Sequence, residues 1–245
     1  MCIISMSSKK QFLSARWEYL VMINYQADPA ILAPYLPKFT ELDLYKGKAL
    51  VSVVGFLFNQ ARVFGVRWPF HTNFEEVNLR LYLKHQTSNE VRRGVVFISE
   101  IVPRIAIATM ANLLYHEQYS YRPMKHHIKH ESGLVNARYQ WKNKGKWNEM
   151  HIEAEDVLQP IAAGSEEEFI FEHYWGYNQY NPNTTIEYGV EHERWQVYPI
   201  KNWLLNCDVA AQYGQQFVPV LSQKPSSVML ARGSEVVIRK PRFIQ

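Results

Sequence analysis

Glu76, Asn78 and Arg80 fall at every second position of NFEEVNLRLYL, residues 73–83. An acid, an amide and a guanidinium so spaced on a strand share one face, because strand side chains have period two. They suit the binding of a small anion. Arg80 offers a fork of donors to a carboxylate, Asn78 orients it, and Tyr82 adds a hydroxyl on the same face. Glu76 could act as acid or base where burial raises its pKa, although a nearby guanidinium works against that. The interleaved Val77, Leu79, Leu81 and Leu83 form an opposite face fit for a core. The polar face is a wet outer surface, a ligand-free structural network or the lining of a cavity, and the residues alone leave these open.

Other chemistries have less support. With 11 glycines and no GxGxxG, GxxxxGK[ST] or GxSxG, phosphate-cradling loops and nucleophile elbows lack their usual signatures. His116, His126, His127 and His130 cluster, but His126 and His127 face opposite ways on a strand and no ligand spacing is met, so no metal is expected. Cys207 beside Asp208 at a helix start reads as a packing residue. His192-Glu193-Arg194-Trp195 on a strand is composed either to grip an acid or ring, or to form a surface salt-bridge patch.

The chain has 245 residues, 47% hydrophobic, 20% charged and 14% aromatic, with a formal charge of +4. The aromatic content favours sheet packing. The small, dispersed charge leaves nucleic-acid binding, through Arg122, Lys125 and Lys129, without support. No segment reaches the roughly 20 apolar residues of a membrane helix, and residues 1–10 lack the apolar stretch of a signal peptide. Cys2 and Cys207 are far apart, so no disulfide and a reducing cytoplasm are expected. No cofactor is implied, and the oligomeric state is not fixed by the sequence.

No linker or repeat divides the chain, which predicts one domain over residues 1–245, with 1–12 a mobile arm. Strands are expected at 17–25, 40–45, 49–58, 75–85, 91–101, 119–127, 134–142, 147–154 and 186–198, with two short ones at 227–230 and 235–239. Helices are expected at 28–35, behind an Asp28-Pro29 start, at 165–174, behind the capping box Ser165-Glu166-Glu167-Glu168, and near 208–217. Residues 103–115, apolar all round, predict a further helix deep in the fold. The pattern is mainly β (α+β), mostly antiparallel, with three or four helices.

Two regions carry a family likeness. Residues 17–19 (Trp17-Glu18-Tyr19) through Leu36-Pro37 to Ala49-Leu50-Val51 resemble the opening of acetoacetate-decarboxylase-like proteins. Arg67-Trp68-Pro69-Phe70 and the block from Asn73 to Arg80 resemble the YqjF-like family, a domain-of-unknown-function group related to them. So do Gly94-Val95-Val96-Phe97-Ile98-Ser99, Leu114-Tyr115, Phe169-Ile170-Phe171-Glu172-His173-Tyr174, and the tail from Val197-Tyr198-Pro199 to Ser227-Val228. The resemblance implies a curved antiparallel sheet closing into a cone or barrel around a small-molecule cavity. That would put Glu76, Asn78, Arg80 and Tyr82 inside.

The decarboxylase forms a Schiff base through a lysine in a Pro-Lys-Lys step. Pro103-Arg104-Ile105 stands nearest to that step here, and a guanidinium cannot serve as that nucleophile. The family's hairpin glutamate falls near Val54, and Arg16 lies one residue from its carboxylate-binding arginine. The resulting expectation is a polar cavity for a small anionic or carboxylate compound, without Schiff-base decarboxylation. Asn78, Arg80, Tyr82, Arg16, Arg104 and His192 are its candidate ligand residues, and Glu76 its candidate catalytic one. The alternative is a non-catalytic interaction or scaffold protein whose cavity is filled by aromatic side chains.

Overall fold

Four long, β-branched and aromatic segments in the first 102 residues form consecutive strands, Gln11–Ala27, Ala49–Val63, Phe74–Gln86 and Val91–Val102, each antiparallel to the next. The computed structural model describes residues 11–245, save the side chain of Ala111. Cys2 and most of the expected mobile arm lie outside these residues. Gln11 and Phe12, expected in that arm, are already strand residues, and Phe12 is buried.

The sheet then closes. Val91–Val102 pairs in parallel with Trp175–Asn181, which forms a hairpin with Thr184–His192. Val190, Glu191 and His192 pair with Ile238, Val237 and Val236 of Ser227–Arg239, and that strand runs antiparallel to Gln11–Ala27. Seven strands thus form a continuous ring within a 12-stranded sheet. The sheet is mixed rather than wholly antiparallel, because the short strand Tyr119–Tyr121 also joins Val91–Val102 in parallel. A separate four-stranded antiparallel sheet holds Met124–Glu131, Leu134–Asn143, Lys146–Glu155 and Ile200–Asn206.

One core lies between the ring's outer face and the small sheet. Val77, Leu79, Leu81 and Leu83 meet Tyr139, Trp141, Met150 and Ile152 there, all fully buried. Each such aliphatic contributes roughly 1.5–3 kcal/mol by leaving water. A second cluster, with Leu20, Met22, Val54, Phe56, Phe58 and Tyr82, faces the other side of the ring.

Local signals place the helices. Asp28 caps Pro29–Leu32 by accepting from the Ala30 N–H at 2.9 Å, and Ser165 caps Glu166–Phe171 by accepting from the Glu168 N–H at 3.1 Å. The helix expected at 208–217 breaks at Gly214 into Val209–Tyr213 and Val218–Leu221, giving five α-helices among the described residues. Pro123 splits the strand expected at 119–127, since it has no N–H for the ladder. The segment at 186–198 breaks after His192 and resumes at Gln196–Tyr198. Ser227–Arg239 is one strand, not two.

The apolar helix Ile105–Tyr115 departs most from expectation. It lies at the surface, with Ile105 63% and Leu113 73% exposed, while Ala108 and Tyr115 are buried. Only one side of the helix, with Ile107, Met110 and Tyr115, turns toward the ring. Among the described residues, no helix is long and apolar enough to cross a membrane.

Candidate functional site

Alternation along Phe74–Gln86 sends Val77, Leu79 and Leu81 to the outer core and turns Glu76, Asn78 and Arg80 toward a cavity of about 90 Å³. The lining comes from both sides of the ring, including Trp17, Val54, Phe56, Glu100, Tyr188 and Ile238, so the cavity lies within it. A bulge shapes the floor. Leu79 pairs with Ser99 but Arg80 pairs with Phe97, so Ile98 is skipped. Phe97 and Glu100, three residues apart, therefore both reach the cavity. Glu117 follows His116, whose left-handed backbone (φ 52°) ends the helix and returns the chain inward.

These residues build a nest of buried acids. Glu76 accepts from Asn78 Nδ2 at 2.9 Å and from the Tyr119 hydroxyl at 2.8 Å. The Tyr188 hydroxyl donates to Glu117 Oε1 at 2.5 Å. Glu100 and Glu117 also line the cavity, and the Oε2 of each is buried with no hydrogen-bond partner among the described residues. Burial pushes the Glu76 carboxyl up to about 7, against the pull of its hydrogen bonds from Asn78 and Tyr119. Burial, then the charges of Glu117 and Glu76, holds Glu100 well above the carboxylate range, and burial also raises Glu117. The nest retains protons near neutrality, where it can both donate and accept them.

These acids give the fold a pH signature. A carboxyl whose pKa is higher folded than unfolded contributes its stability fully below about 4.5, and the contribution is lost as pH rises through the folded value. Glu100→Gln should therefore raise Tm at pH 8, and the gain should vanish by pH 4. About 1 kcal/mol corresponds to roughly 2–4 °C in a chain of this size. Thermal scans of both proteins across that range check it, and an equal difference at both ends would show that Glu100 is not protonated by burial. Opposing this, burial lowers His173 and His192 to about 4, so both cost stability as pH falls from 6.5 toward 4.

Arg80 is 9% exposed, and among the described residues no acidic side chain forms an ion pair with it. Its Nε donates to the Tyr82 hydroxyl at 3.4 Å, and an Nη approaches Met22 Sδ at 3.8 Å. Tyr82 does not line the cavity. Its hydroxyl lies 2.6 Å from Ser52 Oγ, which donates to Asn24 Oδ1 at 2.5 Å, so Tyr82 steadies Arg80 from the side. Arg80 also borders a second cavity of about 30 Å³ with Trp17, His173, His192 and Trp195. There His173 Nε2 donates to Asp43 at 3.1 Å, and its Nδ1 is buried without a partner. With both imidazoles neutral, Arg80 is the one charged side chain among the described residues lining that space.

The remaining candidates fall elsewhere. Arg16 pairs with Glu18 at 3.0 Å and is 37% exposed; Trp17, its neighbour on the strand, takes the inward position. Arg104 sits at the start of the surface helix with Nη1 on the Pro103 carbonyl, outside both cavities. The tetrad 192–195 divides: His192 stacks on Trp195 at 4.1 Å, while exposed Arg194 pairs with Glu168 and Glu172. His126 pairs with Glu75 at 2.6 Å and His130 with Asp156 at 2.7 Å. Among the described residues no group of His, Cys, Asp and Glu is arranged to hold a metal. Burial pushes the Cys207 thiol up to about 12, which removes it as a nucleophile.

Among the described residues no lysine lines either cavity, and Val54 stands in the larger one. The fold is that of the acetoacetate decarboxylase-like proteins. The acetoacetate decarboxylase of Legionella pneumophila aligns over 100% of this chain and 92% of its own with a TM-score of 0.66 at 11% identity. The enduracididine biosynthesis enzyme MppR, solved complexed with pyruvate, aligns over 99% and 93% with a TM-score of 0.66 at 12% identity. The chain belongs to the family DUF2071, "Uncharacterized conserved protein (COG2071)", whose profile matches residues 14–235. Uncharacterized protein YqjF of Bacillus subtilis (strain 168) is 27% identical over 191 residues, covering 77% of this chain and 73% of that protein.

Proposed function

We propose that the ring cavity binds a small monocarboxylate and handles it by proton transfer, without a covalent imine. One observation carries this reading: a buried guanidinium with no direct ion-pair partner among the described residues borders a cavity that contains proton-holding acids. A desolvated charge without a partner is costly, and an anionic ligand supplies the partner. Arg80 holds the carboxylate, and Asn78 orients it. A protonated acid of the Glu100–Glu117 pair donates to the ligand's carbonyl oxygen, while ionised Glu76 takes a proton from the adjacent carbon. The 2-oxo acid in the MppR structure fits this pattern.

Titration calorimetry with pyruvate, followed by borohydride treatment and intact mass, tests the reading. Saturable binding with unchanged mass after reduction is expected. Absence of binding by pyruvate, acetate and butyrate would remove the carboxylate reading, and a reduced adduct would restore an imine through some other amine.

A further inference from the structure

We infer that the bound acid carries an unbranched apolar tail, which leaves the ring cavity through a groove between the surface helix and the hairpin tip at residues 61–73. This rests on the carboxylate reading of the cavity and names the class of compound it takes. The groove has a volume of about 200 Å³, and its walls include Ala61, Val63, Trp68, Ala106, Ile107 and Met110. Leu13, Phe74, Ile107 and Met110 line both the groove and the ring cavity, so the two spaces adjoin across these four side chains. The two spaces together are amphipathic. Its inner end holds Arg80, Asn78 and the acids, and its outer end is almost wholly apolar.

Charge points to the same occupant. Neither the hairpin tip, residues 61–73, nor the helix segment, residues 103–116, contains an acid, while Arg62, Arg67 and Arg104 flank them. Trp68 in the groove wall is 55% exposed, Phe64 and Phe70 of the same hairpin tip are 56% and 89% exposed, and Ile105 and Leu113 on the helix are exposed as well. Such a rim leaves apolar surface in water that a compact polar acid would not cover. An acid with a tail covers the groove while its head meets Arg80.

The experiment is a chain-length series, acetate, butyrate, hexanoate, octanoate and decanoate, titrated below the micellar range against the intact protein, Arg80→Ala, Ala106→Trp and Ala106→Glu. Affinity is expected to rise about fourfold per methylene from butyrate onward, the value of one buried CH₂, and to level off once the tail emerges. In each Ala106 variant the ratio of octanoate to butyrate affinity should fall toward one. Ala106 is an exposed helix position, and the two substitutions obstruct the groove by different means, bulk and charge. A flat series with Arg80-dependent butyrate binding overturns the tail and leaves the carboxylate reading standing. Binding at no length, or binding indifferent to Arg80→Ala, overturns both. Length-dependent binding untouched by either Ala106 variant places the tail elsewhere and overturns the groove.

Discussion

Arg80→Ala is expected to abolish measurable carboxylate binding while changing the heat stability of the empty protein little. The two effects have one cause. The guanidinium lies in the ring with a tyrosine hydroxyl and a thioether as its nearest polar partners and, among the described residues, no acid in direct ion-pair contact. An anion that pairs with it there gains a charge-assisted contact in a dry site. Truncating one partner of such a pair costs roughly 2–5 kcal/mol in affinity, at least about thirtyfold. Without ligand the same truncation removes an unpaired buried charge, so the folded state loses little. Arg80→Lys keeps the charge and loses the planar fork, and should fall between. Calorimetric titration and a thermal scan of each variant measure both halves. Unchanged affinity in Arg80→Ala would take the anion away from this residue.

Gly233→Ala is expected to be the most damaging single-methyl change in the ring. Gly233 pairs with Glu18 and has φ +85°, in the left-handed region, and an added Cβ would run into the Trp17 carbonyl. The conformation costs a non-glycine residue about 1–2 kcal/mol, and forced overpacking adds typically 1–3 kcal/mol. The sum, about 2–5 kcal/mol, should lower Tm by roughly 5–15 °C. Gly145 has nearly the same φ, +82°, with nothing near its missing Cβ. Gly145→Ala therefore reports the conformational part alone. Equal losses in the two variants would show that the Trp17 carbonyl can move aside.

Much of this architecture could be read from residue order, and the exceptions have physical causes. The alternation of residues 76–83 separates cavity face from core face because Phe74–Gln86 is paired on both sides. Tyr82 keeps the inward parity, yet its hydroxyl turns to Ser52, which parity cannot reveal. Glu100 was missed because the bulge at Ile98 breaks period two, so Phe97 and Glu100 face the cavity three residues apart. Glu117 and Tyr119 follow a left-handed helix cap and have no periodic pattern to betray them. Tyr188 depends on a ring closure joined by strands distant in the chain. The surface helix was misplaced because composition shows how apolar a segment is and not how much space remains to bury it.

The strand Ser227–Arg239 pairs with Gln11–Ala27, Thr184–His192 and Gln196–Tyr198. On the ribosome, the first of these strands is made more than 200 residues before its partner. Until then one of its edges is unsatisfied and the ring stands open to water, so neither the acid nest nor the guanidinium is desolvated. Contacts of such sequence separation close slowly. A nascent chain would thus acquire its unusual proton affinities only in a late, concerted step. Ligand present during synthesis would act as a seal on a finished vessel, with no hold on the half-built chain.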